Sequence, residues 1–261
     1  TAATLGNLGY AWGSLGDYEK QKDILTRALT IKEKCYGKDH PTNAITLTNL
    51  GNAWGSIGDY EKQKDLLTRA LDIYEKHYGR DHPQTAITLG GLGNAWGSLG
   101  NYEKQRDLLT QALEIFERHY GKNHPETAAT LTNLGNAWGS LGNYEKQKDL
   151  LTQALAIDEK HYGKDHPETA ITLTNLGNAW GSLGDYVKQR DLLTRALEIK
   201  ENHYGKDHPQ TYGTILSLGK AWGALGDHEK KQKFLNRALG IKTKKNSLGN
   251  RGILNDYLNQ K

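Results

Sequence analysis

The chain has 261 residues, 36% of them hydrophobic and 25% charged, and a formal net charge of +4. No apolar run reaches the roughly 20 residues that a membrane helix needs, and the start carries no signal-peptide pattern. The single cysteine, Cys35, excludes an internal disulfide and points to a reducing, cytoplasmic (intracellular) setting.

Taken in order, the first residues already belong to a pattern. Thr1-Ala2-Ala3-Thr4-Leu5 matches Thr127-Ala128-Ala129-Thr130-Leu131, which lies just after the Asn-His-Pro that opens a later helix. With no methionine present, the natural protein is expected to continue upstream. Trp12, Trp54, Trp96, Trp138, Trp180 and Trp222 are all the tryptophans, each 42 residues after the last, and His-Pro recurs at 40–41, 82–83, 124–125, 166–167 and 208–209. A period between roughly 20 and 50 residues marks a solenoid of stacked supersecondary units. Helix pairs are expected at about 2–36, 42–78, 84–120, 126–162, 168–204 and 210–244, forming six tandem repeats over 1–245.

One unit shows why. Asp39-His40-Pro41 is a helix start, with Asp39 as the expected cap and Pro tolerated where the N–H is unpaired anyway. Gln84, Glu168 and Gln210 follow the matching Asp by three residues, as a capping box prefers. Helix A is then expected over about 42–57, with Ile45, Leu47, Leu50, Ala53, Trp54 and Ile57 at helical spacing. Gly58 supplies a left-handed C-cap and Asp59 caps helix B, expected over 60–78. Leu66, Leu67, Ala70, Leu71, Ile73 and Tyr74 make its apolar side. Two such helices account for the whole period and leave no room for a strand. Gly51 and Gly55 each cost about 1 kcal/mol against Ala inside a helix, so they imply close helix approach.

The last unit departs from the pattern: His228 replaces Tyr, Phe234 replaces Leu, and Gly240 loosens helix B. Residues 229–261 carry nine Lys/Arg against two Asp/Glu, a net of +7, whereas the remaining 228 carry 25 against 28, a net of −3. A near-neutral body argues against a nucleic-acid groove along the array, which needs a continuous basic stripe. Leu248, Ile253, Leu254, Tyr257 and Leu258 have the spacing of a short amphipathic capping helix over 246–261. Lys230, Lys231, Lys233, Arg237, Lys242, Lys244 and Lys245 form a basic end, either a solvated face or a contact for an anionic partner.

Leu50-Gly51, Trp54, Gly58, Tyr60, Leu67, Ala70-Leu71 and Ile73 follow the order and spacing of the tetratricopeptide repeat (TPR) pattern, across about residues 1–245. The standard unit has about 34 residues, so these are about eight longer. Ala-Leu-x-Ile-x-Glu-x-x-Tyr-Gly-Lys-Asp-His-Pro-Glu-Thr at 154–169 resembles the long repeats of kinesin light chains and of some signalling ATPases. Gln63 stands where the standard motif has a small Ala, and the closing proline is replaced by a longer helix B. The resemblance implies an all-α, right-handed α-solenoid of six helix-turn-helix repeats, and a concave groove of A helices that binds peptides or partner proteins.

By that resemblance Thr48, Asn49 and Asn52 lie at the groove, with Asn94, then Thr132, Asn133 and Asn136, then Thr174, Asn175 and Asn178, and with Lys220 at the last ladder position. An amide both donates and accepts, so it can pair with an extended backbone whatever the side chains, or equally with neighbouring helices and water. Gly90-Gly91 interrupts the ladder in the third unit. His77 and His82 with Asp81 have a weak metal-like spacing, but ligands must converge to about 2.1 Å on one ion, so structural roles are expected and no metal or cofactor. The periodic Trp positions are read as packing rather than base stacking. Every candidate acid, base or nucleophile recurs in equivalent settings, so a single catalytic cleft, and hence an enzyme, is not expected. The expected role is a non-catalytic interaction scaffold for a protein or peptide, without a small-molecule substrate. The alternatives are a regulatory or self-associating sensor arm, or anion or nucleic-acid contact through the basic end.

Overall fold

A computed structural model describes the backbone of residues 1–258 and the side chains of residues 1–243. It contains two compact units, Thr1–Leu141 and Gly142–Lys261. The first holds α1 (Ala2–Ser14), α2 (Tyr18–Tyr36), α3 (Pro41–Ile57), α4 (Tyr60–Tyr78), α5 (Pro83–Ser98), α6 (Tyr102–Tyr120) and α7 (Pro125–Ser140). The second holds α8 (Tyr144–His161), α9 (Pro167–Ser182), α10 (Tyr186–Tyr204), a 3-10 turn over Pro209–Thr211, α11 (Tyr212–Ala224) and α12 (His228–Leu258). Among the described residues there is no strand, as the helix-filled period requires. The backbone of 246–258 runs on as part of α12, while residues 259–261 and the side chains of the expected capping segment 246–261, with those of Lys244 and Lys245, lie outside the described residues.

The helix starts correct one expectation. The A helices are capped by histidine and not by the preceding aspartate: Nδ1 of His40, His82, His124 and His166 accepts the backbone N–H two residues on, at 3.1–3.3 Å. Proline at the first helical position fixes the residue before it as the cap, which leaves Asp39 one residue too early. Each capping imidazole also stacks on the tyrosine four residues before it, as Tyr78 on His82 with centroids 4.8 Å apart. The B helices start as expected, with Asp59 accepting from Lys62 N at 3.1 Å and Asn101 from Lys104 N at 3.0 Å.

Adjacent helices bury a repeating apolar seam. In the first unit Leu25, Leu29, Ala44, Leu47, Leu50, Ala70, Ile73 and Tyr74 pack as one cluster. The helical glycines admit this closeness. A Cβ on Gly51 would lie 3.1 Å from Leu67 Cγ and 3.4 Å from the Gln63 carbonyl, while one on Gly55 would collide with the Gln63 amide. The bulk missing from helix A is therefore supplied by the glutamine that replaces the standard small residue on helix B.

The tryptophans differ from a purely packing role, because their rings are half-buried and clad in cations. Lys62 Nζ lies 3.9 Å from the Trp54 centroid and Lys22, from the preceding repeat, 5.1 Å. Lys104 and Lys64 stand at 4.2 and 5.3 Å from Trp96, and Lys188 and Lys148 at 3.8 and 5.4 Å from Trp180. Carboxylates hold the cations in place: Lys64 pairs with Glu61, which raises its pKa and keeps it charged. A double-mutant cycle between Lys64→Met and Trp96→Leu is expected to show about 0.5–1 kcal/mol of coupling in urea unfolding, and zero coupling would contradict the contact.

Arginines and histidines tie successive repeats together. Arg69 bonds Glu33 at 2.5 Å and the Lys38 carbonyl at 3.3 Å, and Arg195 repeats the pattern on Glu159 at 2.7 Å and the Lys164 carbonyl at 3.0 Å. His77 Nε2 meets the Asp39 carbonyl at 2.9 Å, and His119 meets that of Asp81 at 2.7 Å. The histidines of the metal-like spacing thus serve as caps and inter-repeat bonds.

Candidate functional site

Helix A has one face turned away from its own helix B. Positions 45, 49, 52 and 56 fall along it by the i, i+4, i+7 rule. In the first unit the equivalent faces of α3 and α5 lie side by side, since the two helices pack directly. Between them a pocket of about 330 Å³ is lined by Asn52, Gly55 and Ser56 of α3 and by Asn94 and Ser98 of α5. Tyr60 and Gln63 from the start of α4 close its side. Two of the ladder residues, Asn52 and Asn94, are therefore exposed and converge on one cavity.

The other ladder residues are placed differently. Asn49, Asn133 and Asn136 are half-buried in the first unit, as are Asn175 and Asn178 in the second, and Lys220 is exposed. The threonines turn inward. Thr48 donates to the Ala44 carbonyl at 2.9 Å and meets the Tyr74 phenol, whose pKa burial pushes up to about 12. Thr132 is buried, while Thr174 donates to the Ala170 carbonyl at 2.7 Å and accepts from Lys200 Nζ at 3.2 Å.

Two exposed isoleucines extend the face beyond the amides. Ile45 is 53% exposed and Ile87 39% exposed, so Ile45 does not belong to the buried stripe with Leu47, Leu50 and Ala53. Its helical phase, seven residues before Asn52, was the signal that separates it from that stripe. Neither α3 nor α5 carries a charged residue. Gly90 faces open space, with nothing within 4 Å of where its Cβ would be.

The basic end serves mainly internal contacts. Lys230 pairs with Asp227 at 2.9 Å and covers Trp222 at 4.0 Å, and Arg237 bonds Glu201 at 2.6 Å. Lys231 fills the space beside Gly223 in place of the usual glutamine, and Lys233 and Lys242 are exposed. Lys230, Lys233 and Arg237 border a cavity of about 450 Å³ with Leu218, Trp222 and Phe234 at its apolar wall and Glu198 and Glu201 opposite. Its lining is thus of mixed charge.

The repeat architecture and this A-helix face define a helical repeat protein. The tetratricopeptide repeat profile matches residues 1–76, 57–118, 97–160 and 139–202, and the chain belongs to that family. Among solved structures it resembles the nearly identical TPR-like repeats of a Podosopora anserina protein described as a kinesin light chain, with 23% identity and a TM-score of 0.64 over 79% of this chain and 98% of that one. BtubC (BKLC) from P. vanneervenii is 22% identical, with a TM-score of 0.71 over 88% and 92%. A Rap protein complexed with Competence and Sporulation Factor is 18% identical, with a TM-score of 0.66 over 92% and 74%. These likenesses establish the shared fold. No curated protein matches the chain by sequence. No helix among the described residues is long and apolar enough to cross a membrane.

Proposed function

We propose that the chain is a non-catalytic, cytoplasmic interaction scaffold that binds an extended protein or peptide segment across its A helices, as TPR proteins typically bind partners. The observation that carries this reading is the convergence of the exposed amides Asn52 and Asn94 on one cavity between neighbouring helices. Such amides match the alternating donors and acceptors of a peptide backbone. The solved Rap protein with its bound factor gives support by analogy of fold. The basic end is the weaker site, because Lys230 and Arg237 already have carboxylate partners.

The test is binding of display-selected peptides to the full chain and to its Asn52→Ala/Asn94→Ala variant. Two lost amide contacts at about 0.5–1.5 kcal/mol each predict an affinity drop of roughly tenfold or more. Unchanged affinity would remove the A-helix face from consideration.

A further inference from the structure

We infer that this chain associates head-to-tail with a second copy of itself, the outer side of α12 seating on α1 and α2 of the next copy. The groove reading is not involved, since Asn52 and Asn94 belong to α3 and α5.

Inside the chain the same joint recurs. A B helix offers two leucines, four residues apart, to the repeat that follows. Leu25 and Leu29 of α2 pack with Leu47 and Leu50 of α3 and Ile73 of α4. Leu193 and Leu197 of α10 pack with Ile215 and Leu218 of α11 and Ile241 of α12. A turn closing on His-Pro leads from each of these B helices into the A helix that covers its leucines. Leu235 and Leu239 are the matching pair on α12. No His-Pro follows them and α12 runs on to Leu258, so among the described residues no A helix comes after them. Leu239 is accordingly 61% exposed, against 8% for Leu29 and 6% for Leu197.

The first repeat presents the opposite half. Leu8 and Ile31 are 45% and 41% exposed, whereas Leu50 and Ile73, their equivalents one repeat on, are each 3% exposed. Leu50 and Ile73 share their cluster with the leucine pair of the preceding B helix, which is the element α12 holds unused. Burying both apolar surfaces against each other supplies the driving force.

A polar contact fixes the register. Lys32, Asp158 and Lys200 occupy one position of helix B, and each bonds the threonine 14 residues on, in the next A helix: Thr46 at 2.8 Å, Thr172 at 2.7 Å and Thr214 at 2.9 Å. Lys242 holds that position in α12 and Thr4 holds the threonine position in α1, and both are exposed. Seating α12 on α1 brings the Lys242 amine to the Thr4 hydroxyl. The glutamate that pairs with Arg69 or Arg195 is replaced by Thr243, but the repeats with Gln111 and Gln153 do without that ion pair as well.

Charge decides against a symmetric pairing. Residues 229–261 carry a net of +7, so two α12 surfaces repel each other, while α1 has no charged side chain. A joint between unlike surfaces leaves one of each free and goes on adding copies.

The experiment is sedimentation equilibrium of the full chain from about 1 μM to about 1 mM, with Leu8→Glu and Leu239→Glu altering one surface each. Both leucines are already exposed, and circular dichroism melts check that the variants fold. The parent's mass should climb with concentration from 29.1 kDa through its multiples. Each variant alone should associate at least roughly tenfold more weakly. An equimolar mixture of the two keeps one intact α12 surface and one intact first repeat, and should form a dimer and stop there. A parent that stays at 29.1 kDa throughout would overturn the inference. So would a Leu8→Glu protein that dimerises as tightly as the parent, because that result puts the contact on α12 of both copies. Peptide affinity at Asn52 and Asn94 is measured separately and stands or falls by itself.

Discussion

Replacing Gly93 with leucine is expected to destabilise the first unit by about 1–3 kcal/mol, the usual range for overpacking a tight core. A Cβ at Gly93 would already stand 3.2 Å from Leu109 Cγ and 3.3 Å from the Gln105 backbone carbonyl. Leu109 is fully buried and the carbonyl belongs to α6, so neither can move away without separating the helices. Three residues earlier the outcome reverses. Gly90 meets open space, so Gly90→Ala should stabilise by about 0.5–1 kcal/mol through helix propensity alone. Urea unfolding of the two variants against the parent checks both signs. A Gly93→Leu protein as stable as the parent would show that the helices are not held at this distance.

The contrast also marks what the sequence makes legible. The 42-residue period, the Gly58-Asp59 punctuation and the His-Pro steps state the helix pairs almost to the residue, because each is a local rule that repeats. The close approach at Gly51 follows from the cost of glycine in a helix. That Gln63 fills the space beside Gly55 does not, since it depends on which residues of two helices meet. The same limit explains the cap: Asp39 and His40 are both able to accept an N–H, and only the register set by Pro41 chooses between them. For the candidate site, the Asn ladder could be read from the family resemblance, whereas the inward turn of its threonines could not. That turn involves the residue opposite, at a position of helix B whose character changes from repeat to repeat: Lys32, Tyr74, Phe116, Asp158 and Lys200. In the sequence Ile45 reads with the core, because a short apolar run at helical spacing does not by itself distinguish a buried stripe from its neighbour.

That changing position leads to the second large effect. Tyr74 and Phe116 fill it with buried rings in the first unit, but in the second it holds Asp158 at 6% exposure and Lys200 at 8%. Lys200 Nζ donates to the hydroxyls of Thr214 at 2.9 Å and Thr174 at 3.2 Å. Burial lowers its pKa. Asp158 accepts from Thr172 at 2.7 Å, and burial raises its pKa against that bond. For Lys200 the unfolded chain binds more protons over the range below the usual lysine pKa, so stability rises with pH there. For Asp158 the folded chain holds the proton more tightly, so stability falls as pH rises above the usual carboxylate range. Lys200→Met should therefore stabilise the second unit by about 1–3 kcal/mol at neutral pH, the value of burying an apolar side chain in place of a desolvated charge. Its stability should also lose the upward slope expected of the parent as pH rises towards the usual lysine pKa. Asp158→Phe, which copies the first unit's Phe116, should remove the opposite slope on the acid side. Denaturant unfolding across pH measures both slopes, and a Lys200→Met variant that keeps the parent's alkaline rise would show that this amine is not what titrates.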